Sequence, residues 1–292
     1  MKQYLSLVKF SHTVFALPFA LIGFTLGVDA LAGGEFSKAT FFREEIAVKL
    51  FLVLVCMVTA RNAAMAFNRY IDRKYDEKNP RTAIREIPSG IITPKNARIF
   101  IVVNCILFIA ATYFINPLCF YLSPVALAVI LGYSLTKRFT FLCHLILGIG
   151  LGLAPIGAYL ALTGKFAVLP LFFSFAVLFW VSGFDIIYAL QDEDFDREHE
   201  LYSIPSYFGQ QQAKWMARGL HVLSLLCLLG AGISGQFHGL YWTGFILFIG
   251  LVVYQHYIVI RFGLQKIDLA FFTTNGIASV LFALFTIADI LL

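Results

Sequence analysis

Asn68, Asp72 and Asp76 stand four residues apart in NRYIDRKYDEKNPRTAIREIPSG, residues 68–90, and Asp185, Asp192 and Asp196 stand seven and four apart in GFDIIYALQDEDFDREHELYSIPSYFG, residues 183–209. On a helix either spacing forms one row on one face, and the first row would be about 12 Å long. Carboxylates so placed repel one another by a few tenths of a kcal/mol per pair, so the rows call for a cation. Mg²⁺ suits them best, because it is hard, prefers oxygen, and is usually held by one or two carboxylates with water and substrate phosphate completing its shell. Two such rows facing each other across a cavity can hold a diphosphate through bridging Mg²⁺, with nearby basic groups contacting the phosphates directly. Two solvated loops would be the simpler reading. Against it stands the duplication, with Asp72 and Asp192 each just beyond a long apolar run and 120 positions apart.

Those apolar runs define the class. The chain of 292 residues is 60% hydrophobic and 13% charged, with a mean hydropathy of +0.81, where a soluble domain carries about 25% charged residues. It reads as an all-α integral membrane protein, since the runs are long and unbroken and the short alternating segments of a barrel are absent. Windows of roughly 20 residues give about nine spans, near 10–32, 46–70, 97–115, 118–136, 142–162, 166–190, 215–234, 239–261 and 268–290. A single transmembrane domain over 1–292 is expected, with acidic cytoplasmic loops at 68–96 and 191–214. The first span lacks the position and small-residue site of a cleaved signal peptide.

Basic residues set the orientation. Seventeen Lys and Arg fall on the side that carries both acidic loops, among them Lys2, Lys9, the eight from Arg69 to Arg98, Lys137 and Arg138. Only Lys38, Arg43, Lys49 and Lys165 fall on the other, and Arg61 lies within a span. Basic loops stay in the cytoplasm, so the acidic rows face the cytoplasm from the inner membrane and the lipid bilayer is the chain's surroundings. The net charge of +5 is then a topology signal and implies no nucleic-acid partner. Cys56, Cys105, Cys119, Cys143 and Cys227 stand singly in apolar runs and read as small hydrophobes. The scattered histidines lack metal-ligand spacing, and for His12 and His144 interhelical hydrogen bonds are expected ahead of cavity lining.

The set Arg61, Asn68, Asp72, Asp76, Arg81-Thr82, Arg85 and Pro88-Ser89-Gly90, followed by Tyr188-Ala189, Asp192 and Asp196, resembles the UbiA superfamily of membrane aromatic prenyltransferases. The likeness extends to KFSHTVFALPFAL at the start and to Lys137-Arg138. It implies about nine transmembrane helices around a central cavity with a cytoplasmic cap, and Mg²⁺-dependent transfer of a polyprenyl group from a polyprenyl diphosphate. Asp72, Asp76, Asp192 and Asp196 would be catalytic and, with Asn68, would hold the metal. Arg61, Asn68, Lys137, Arg138, Arg85, Tyr188 and Asp185 would bind substrate.

Two positions depart from the family's pattern. Arg69 follows Asn68 where many members carry aspartate, and Tyr202 precedes Ser203 where members acting on 4-hydroxybenzoate often carry lysine. The pattern looks nearest to the 4-hydroxybenzoate polyprenyltransferase-like subgroup, which includes members of the futalosine route to menaquinone. The resemblance therefore implies an aromatic acid as acceptor, either 4-hydroxybenzoate or 1,4-dihydroxy-6-naphthoate, in ubiquinone or menaquinone biosynthesis. An arginine facing the cavity can clamp its carboxylate, and Arg61 is the candidate; its alternative role is pairing with a motif aspartate. The rival class is a cation-coupled transporter, but carriers place their sites near the midplane at broken helices, whereas these rows sit at helix ends. Phosphatidyltransferases also use paired aspartate motifs, but their Asp-Gly-Ala-Arg-type signature is absent.

Overall fold

A computed structural model describes residues 2–8, 15–33 and 43–292, without the side chains of Lys2 and Leu5. His12, Lys9, Lys38 and residues 10–14 of the first expected span lie outside the described residues. The helices are α1 (Lys2–Leu7), α2 (Leu17–Ala32), α3 (Glu44–Lys78), α4 (Pro94–Ile115), α5 (Pro117–Thr136), α6 (Cys143–Thr163) and α7 (Val168–Ala189). After them come α8 (Glu193–Glu198), α9 (Ile204–Phe208), α10 (Gln210–Ser234), α11 (Gly239–Phe262) and α12 (Thr274–Leu291). Among the described residues eight helical segments are long and apolar enough to span a bilayer, and Leu17–Ala32 is a shorter apolar ninth. The chain is a multi-pass membrane protein, as its composition requires.

Local chemistry sets the helix ends that matter. Thr93 caps α4 by accepting from the Asn96 N–H at 3.2 Å, with Pro94 behind it. Asn116 caps α5 through the Cys119 N–H at 2.8 Å, and its amide donates to the Leu160 and Ala161 carbonyls at the far end of α6. α3 runs 35 residues without a break and stops at Lys78. Pro80 follows, and a residue before proline is pushed out of the helical region; Asn79 is accordingly extended, with φ −88° and ψ 116°.

Packing runs α4 on α3, α2 on α6, α6 on α7, α7 on α10, and α12 on both α11 and α2. Small residues permit the closest crossings, the usual device where lipid removes the hydrophobic drive between helices. A Cβ at Gly23 would overlap the Pro155 carbonyl, and one at Gly148 would overlap the Leu178 carbonyl and the Ser182 hydroxyl. The largest core cluster surrounds Trp180, with Phe19, Phe173, Tyr241, Phe248 and Phe282 all buried, and the indole N–H donates to Asn275 Oδ1 at 3.2 Å. That core occupies one half of the bundle. The other half, between α3, α4, α5, α6 and α7, is hollow.

The two expected acidic loops are more ordered than loops. Residues 68–78 are the last turns of α3, and 191–214 hold α8, α9 and the start of α10. The second acidic row also departs from a single helical face. α7 ends at Ala189, and Leu190–Asp192 form a 3₁₀ turn before α8 begins. A 3₁₀ turn has three residues per turn, so Asp185 and Asp192 are not in one straight α-helical register.

Candidate active site

The hollow is a cavity of about 650 Å³. Its deeper wall is largely apolar, with Phe108, Leu122, Val129, Leu153 and Phe166 among its lining, and its mouth carries the charged groups. Every candidate residue of the sequence reading lines it: Arg61, Asn68, Asp72, Asp76, Arg85, Lys137, Tyr188, Asp185, Asp192 and Asp196, save Arg138, which reaches in from beside Lys137 to touch Asp72.

Each of the four motif aspartates meets a different cation. Arg138 Nη2 donates to Asp72 Oδ1 at 2.9 Å, and Arg85 Nη1 to Asp76 Oδ1 at 2.8 Å. Arg81 donates to both oxygens of Asp192, at 2.6 and 2.8 Å through Nη2. Lys137 Nζ stands 3.8 Å from Asp196 Oδ1. Asn68 donates to Asp72 Oδ2 at 3.2 Å, and Asn79 reaches Asp192 Oδ1 at 3.5 Å. Burial works against the charge on Lys137, but Asp72, Asp196 and Asp192 around it raise its pKa above the ordinary lysine value. Burial likewise opposes Arg81, and its hydrogen bond to Asp192 outweighs that. Both cations stay charged throughout the neutral range.

The site also keeps spare oxygen donors. Asp76 Oδ2 is buried without a hydrogen-bond partner, and Asp196 Oδ1 has only Lys137 Nζ at 3.8 Å, which is costly for a carboxylate unless a cation completes it. All of these donors are hard oxygens, the set that Mg²⁺ takes. Among the described residues no three His, Cys, Asp or Glu side chains form a ready cage for a metal ion. The donors fit an ion shared with substrate phosphate better than one held by protein alone.

Several members of the site were not among the sequence candidates. In the sequence Arg81 is part of the Arg81-Thr82 motif; its place opposite Asp192 depends on the turn after Pro80. The Tyr188 ring lies under the Arg81 guanidinium, 5.9 Å from centroid to Cζ, and against the Phe271 ring at 4.2 Å. A π-helical turn over Leu269–Thr273 carries Phe271 there. His144 both lines the cavity and bonds another helix. The five cysteines are free and partly buried.

The cap is two interlocked loops. The Tyr202 N–H donates to the Lys137 carbonyl at 2.6 Å, and Ser203 and Ser206 form a capping box at the start of α9. Arg69, which stands where the family's pattern has aspartate, donates to Glu86 at 2.6 Å with only 4% of its side chain exposed. Ser6 of α1 donates to the same glutamate. Arg69 is thus a strut between α3 and the loop before α4. Glu86→Ala would strand a buried guanidinium and should lower stability by about 3–5 kcal/mol, the range for a buried pair broken on one side. Thermal unfolding in detergent measures this, and adding Arg69→Met should restore most of the loss. A Glu86→Ala protein that melts like the wild type would show the pair to be idle.

A bundle of membrane-spanning helices around an apolar cavity, with facing carboxylates and cations at its mouth, defines an enzyme that handles an anionic head on a lipid tail. Residues 16–277 match the model of the UbiA prenyltransferase family. The chain belongs to that family and is a membrane prenyltransferase, as the resemblance implied. It is 32% identical over 224 residues to the 4-hydroxybenzoate octaprenyltransferase of Escherichia fergusonii, covering 76% of each chain. To the enzyme of that name from Edwardsiella ictaluri it is 31% identical over 236 residues, covering 80% of this chain and 82% of that one. Both relatives accord with the 4-hydroxybenzoate polyprenyltransferase-like subgroup. The apo structure of a UbiA homolog from Aeropyrum pernix K1 superposes with a TM-score of 0.82 at 27% identity, over 95% of this chain and 98% of that one. A UbiA homolog from Archaeoglobus fulgidus bound to GPP and Mg²⁺ shares the fold, with a TM-score of 0.73 at 21% identity over 99% and 100% of the two chains.

Proposed function

We propose that this chain, as one transmembrane domain of the inner membrane with its site open to the cytoplasm, transfers a polyprenyl group from polyprenyl diphosphate to an aromatic acid in quinone biosynthesis. The observation that carries the reading is the mouth of the cavity, where four carboxylates in two rows meet four separate cations above an apolar hollow. Asp72, Asp76, Asp192 and Asp196, with Asn68, would hold Mg²⁺, which when bound supplies Lewis-acid neutralisation of the leaving diphosphate. Arg81, Arg85, Lys137 and Arg138 are placed to bind the phosphates as well, exchanging carboxylate for phosphate oxygen at little cost in geometry. The apolar wall takes the isoprenoid tail and keeps water from the allylic cation. The Tyr188 and Phe271 rings at the cavity wall offer that cation π-electron density.

Arg61 lies 11 residues, about 16 Å along α3, inward of Asp72, at a depth where it can clamp the acceptor's carboxylate. The relatives are 4-hydroxybenzoate octaprenyltransferases, which makes 4-hydroxybenzoate the first candidate here. 1,4-Dihydroxy-6-naphthoate is the second, because Arg69 and Tyr202 depart from the pattern. Membranes carrying the protein, given a labelled polyprenyl diphosphate and either acid, should prenylate one of them with Mg²⁺ and lose that activity with EDTA. Transfer to 4-hydroxybenzoate assigns the ubiquinone route and transfer to the naphthoate the menaquinone route. EDTA-insensitive transfer would remove the metal from the scheme, and transfer to neither acid would remove the aromatic-acid acceptor.

A further inference from the structure

Inward of Asp192 and Asp196, His144 and Asp185 form a pair that diphosphate binding does not use. His144 sits in the first turn of α6 with 3% of its side chain exposed, and its Nδ1 lies 2.7 Å from Asp185 Oδ2 on α7. The other ring nitrogen, Nε2, accepts the backbone N–H of Ile204 at 3.3 Å. A ring nitrogen that accepts an N–H carries no proton itself, so the imidazole proton is on Nδ1 and points at Asp185. The histidine's own backbone is held as well, since Ser182 Oγ donates to its carbonyl at 3.1 Å. An imidazole held at both ring nitrogens therefore aims a carboxylate that lines the cavity and is 26% exposed.

Asp185 differs in this from the motif aspartates. Each of those faces an arginine or lysine, whereas Asp185 is oriented by a buried imidazole. Depth also sets it apart. α3 and α7 both run toward the acidic mouth, and at about 1.5 Å per residue Asp185 lies about 10 Å inward of Asp192. Arg61 lies about 16 Å inward of Asp72, and Asn68 about 6 Å. If an aromatic acid anchors its carboxylate at Arg61 and presents its ring to a diphosphate at the mouth, the ring passes at the level of Asp185.

We propose that Asp185 is the base that takes the ring proton during prenyl transfer and that His144 is its positioning residue; this rests on the aromatic-acid reading above. The ring's π pair forms the new bond to the allylic carbon as the carbon–oxygen bond to diphosphate breaks, and that bond's electrons leave with the diphosphate. The ring carbon then carries both hydrogen and prenyl group. Its C–H pair returns to the ring, restoring aromaticity, and the proton passes to the Asp185 carboxylate, which later releases it to water at the mouth.

The test uses the full-length protein in membranes with 4-hydroxybenzoate, or the naphthoate if that proves the acceptor, unlabelled and deuterated at the ring carbons beside the hydroxyl. Asp185→Asn should lower kcat by about 10²–10⁴-fold, the range for loss of a general base, with the acceptor KM little changed. His144→Leu should lower kcat by roughly 10- to 100-fold, as when an orienting partner is removed, and should show a larger primary isotope effect than the wild type because proton removal has become slower. His144→Gln, whose amide can donate to Asp185 and accept from Ile204, should recover both rate and isotope effect. A loss of rate in His144→Leu with an unchanged isotope effect, or a His144→Gln no better than His144→Leu, would overturn the proposal. So would an Asp185→Asn that raises KM alone. A wild type that prenylates no aromatic acid would fell the underlying reading first and this base with it, and shows itself in the wild type, not only in the variants.

Discussion

Asp72→Asn and Asp192→Asn should each reduce prenyl transfer by about 10²–10³-fold or more, the scale on which one lost electrostatic contact to a developing charge acts in an active site. The substitution keeps side-chain volume and one acceptor oxygen, and removes only the charge. For Asp72 the retained oxygen can still accept from Arg138, now 2.9 Å away. For Asp192 it can still accept from Arg81. The cost to the fold should be small, because the arginines left behind are 28% and 36% exposed and so keep contact with water once the carboxylate's charge is gone. The measurement is transfer of a labelled prenyl group beside a melting curve for each variant. Wild-type turnover in either would strike that carboxylate from the metal-binding set, and the contrast with Glu86→Ala, expected to harm stability first, separates a site carboxylate from a strut.

Arg61→Met should raise the acceptor KM and lower kcat/KM for the aromatic acid by about 10²–10³-fold, while the KM for the prenyl diphosphate stays near its wild-type value. Truncating one side of a hydrogen-bonded charge pair inside a site costs about 2–5 kcal/mol. Arg61 lies well inward of the cations that serve the mouth, so the two substrates should respond separately. Arg61→Lys should recover only part, because an ammonium lacks the planar fork that meets a carboxylate with two parallel bonds. The discriminating substrate is a phenol without the carboxylate, on which Arg61→Met and wild type should work equally slowly. If the variant lost as much on that phenol as on the acid, Arg61 would be holding the wall of the cavity and not the acceptor.

Much of this molecule is legible along the chain because its causes are local or fall on the solvent. Apolar length forces helices, since unpaired backbone groups cannot remain in hydrocarbon, and the spans recovered from hydropathy differ from the helices mainly at their ends. Asn68, Asp72 and Asp76 needed only the 3.6-residue repeat to share a face, and Pro80 announces where α3 must stop. Asp185, Asp192 and Asp196 show the limit of that reasoning, for the 3₁₀ turn at Leu190–Asp192 lies between them and changes the register where the periodicity ran on.

Which cation meets which carboxylate is a property of the assembled bundle. Arg81 reaches Asp192 across 111 positions, Arg138 reaches Asp72 across 66, and His144 reaches Asp185 across 41. Such contacts depend on how α3, α6 and α7 cross, and that is decided by close approaches such as Gly148 against Leu178, not by any local spacing. Arg69 shows the difference most plainly. As a letter it is a missing acid in a metal motif; in the fold it is a buried strut to Glu86, because an arginine in that half-apolar setting must find a carboxylate and the cap loop supplies one. The class, the spans and the first acidic row follow from local propensity and the bilayer, whereas the pairings and the aim of the site exist only once distant helices have packed.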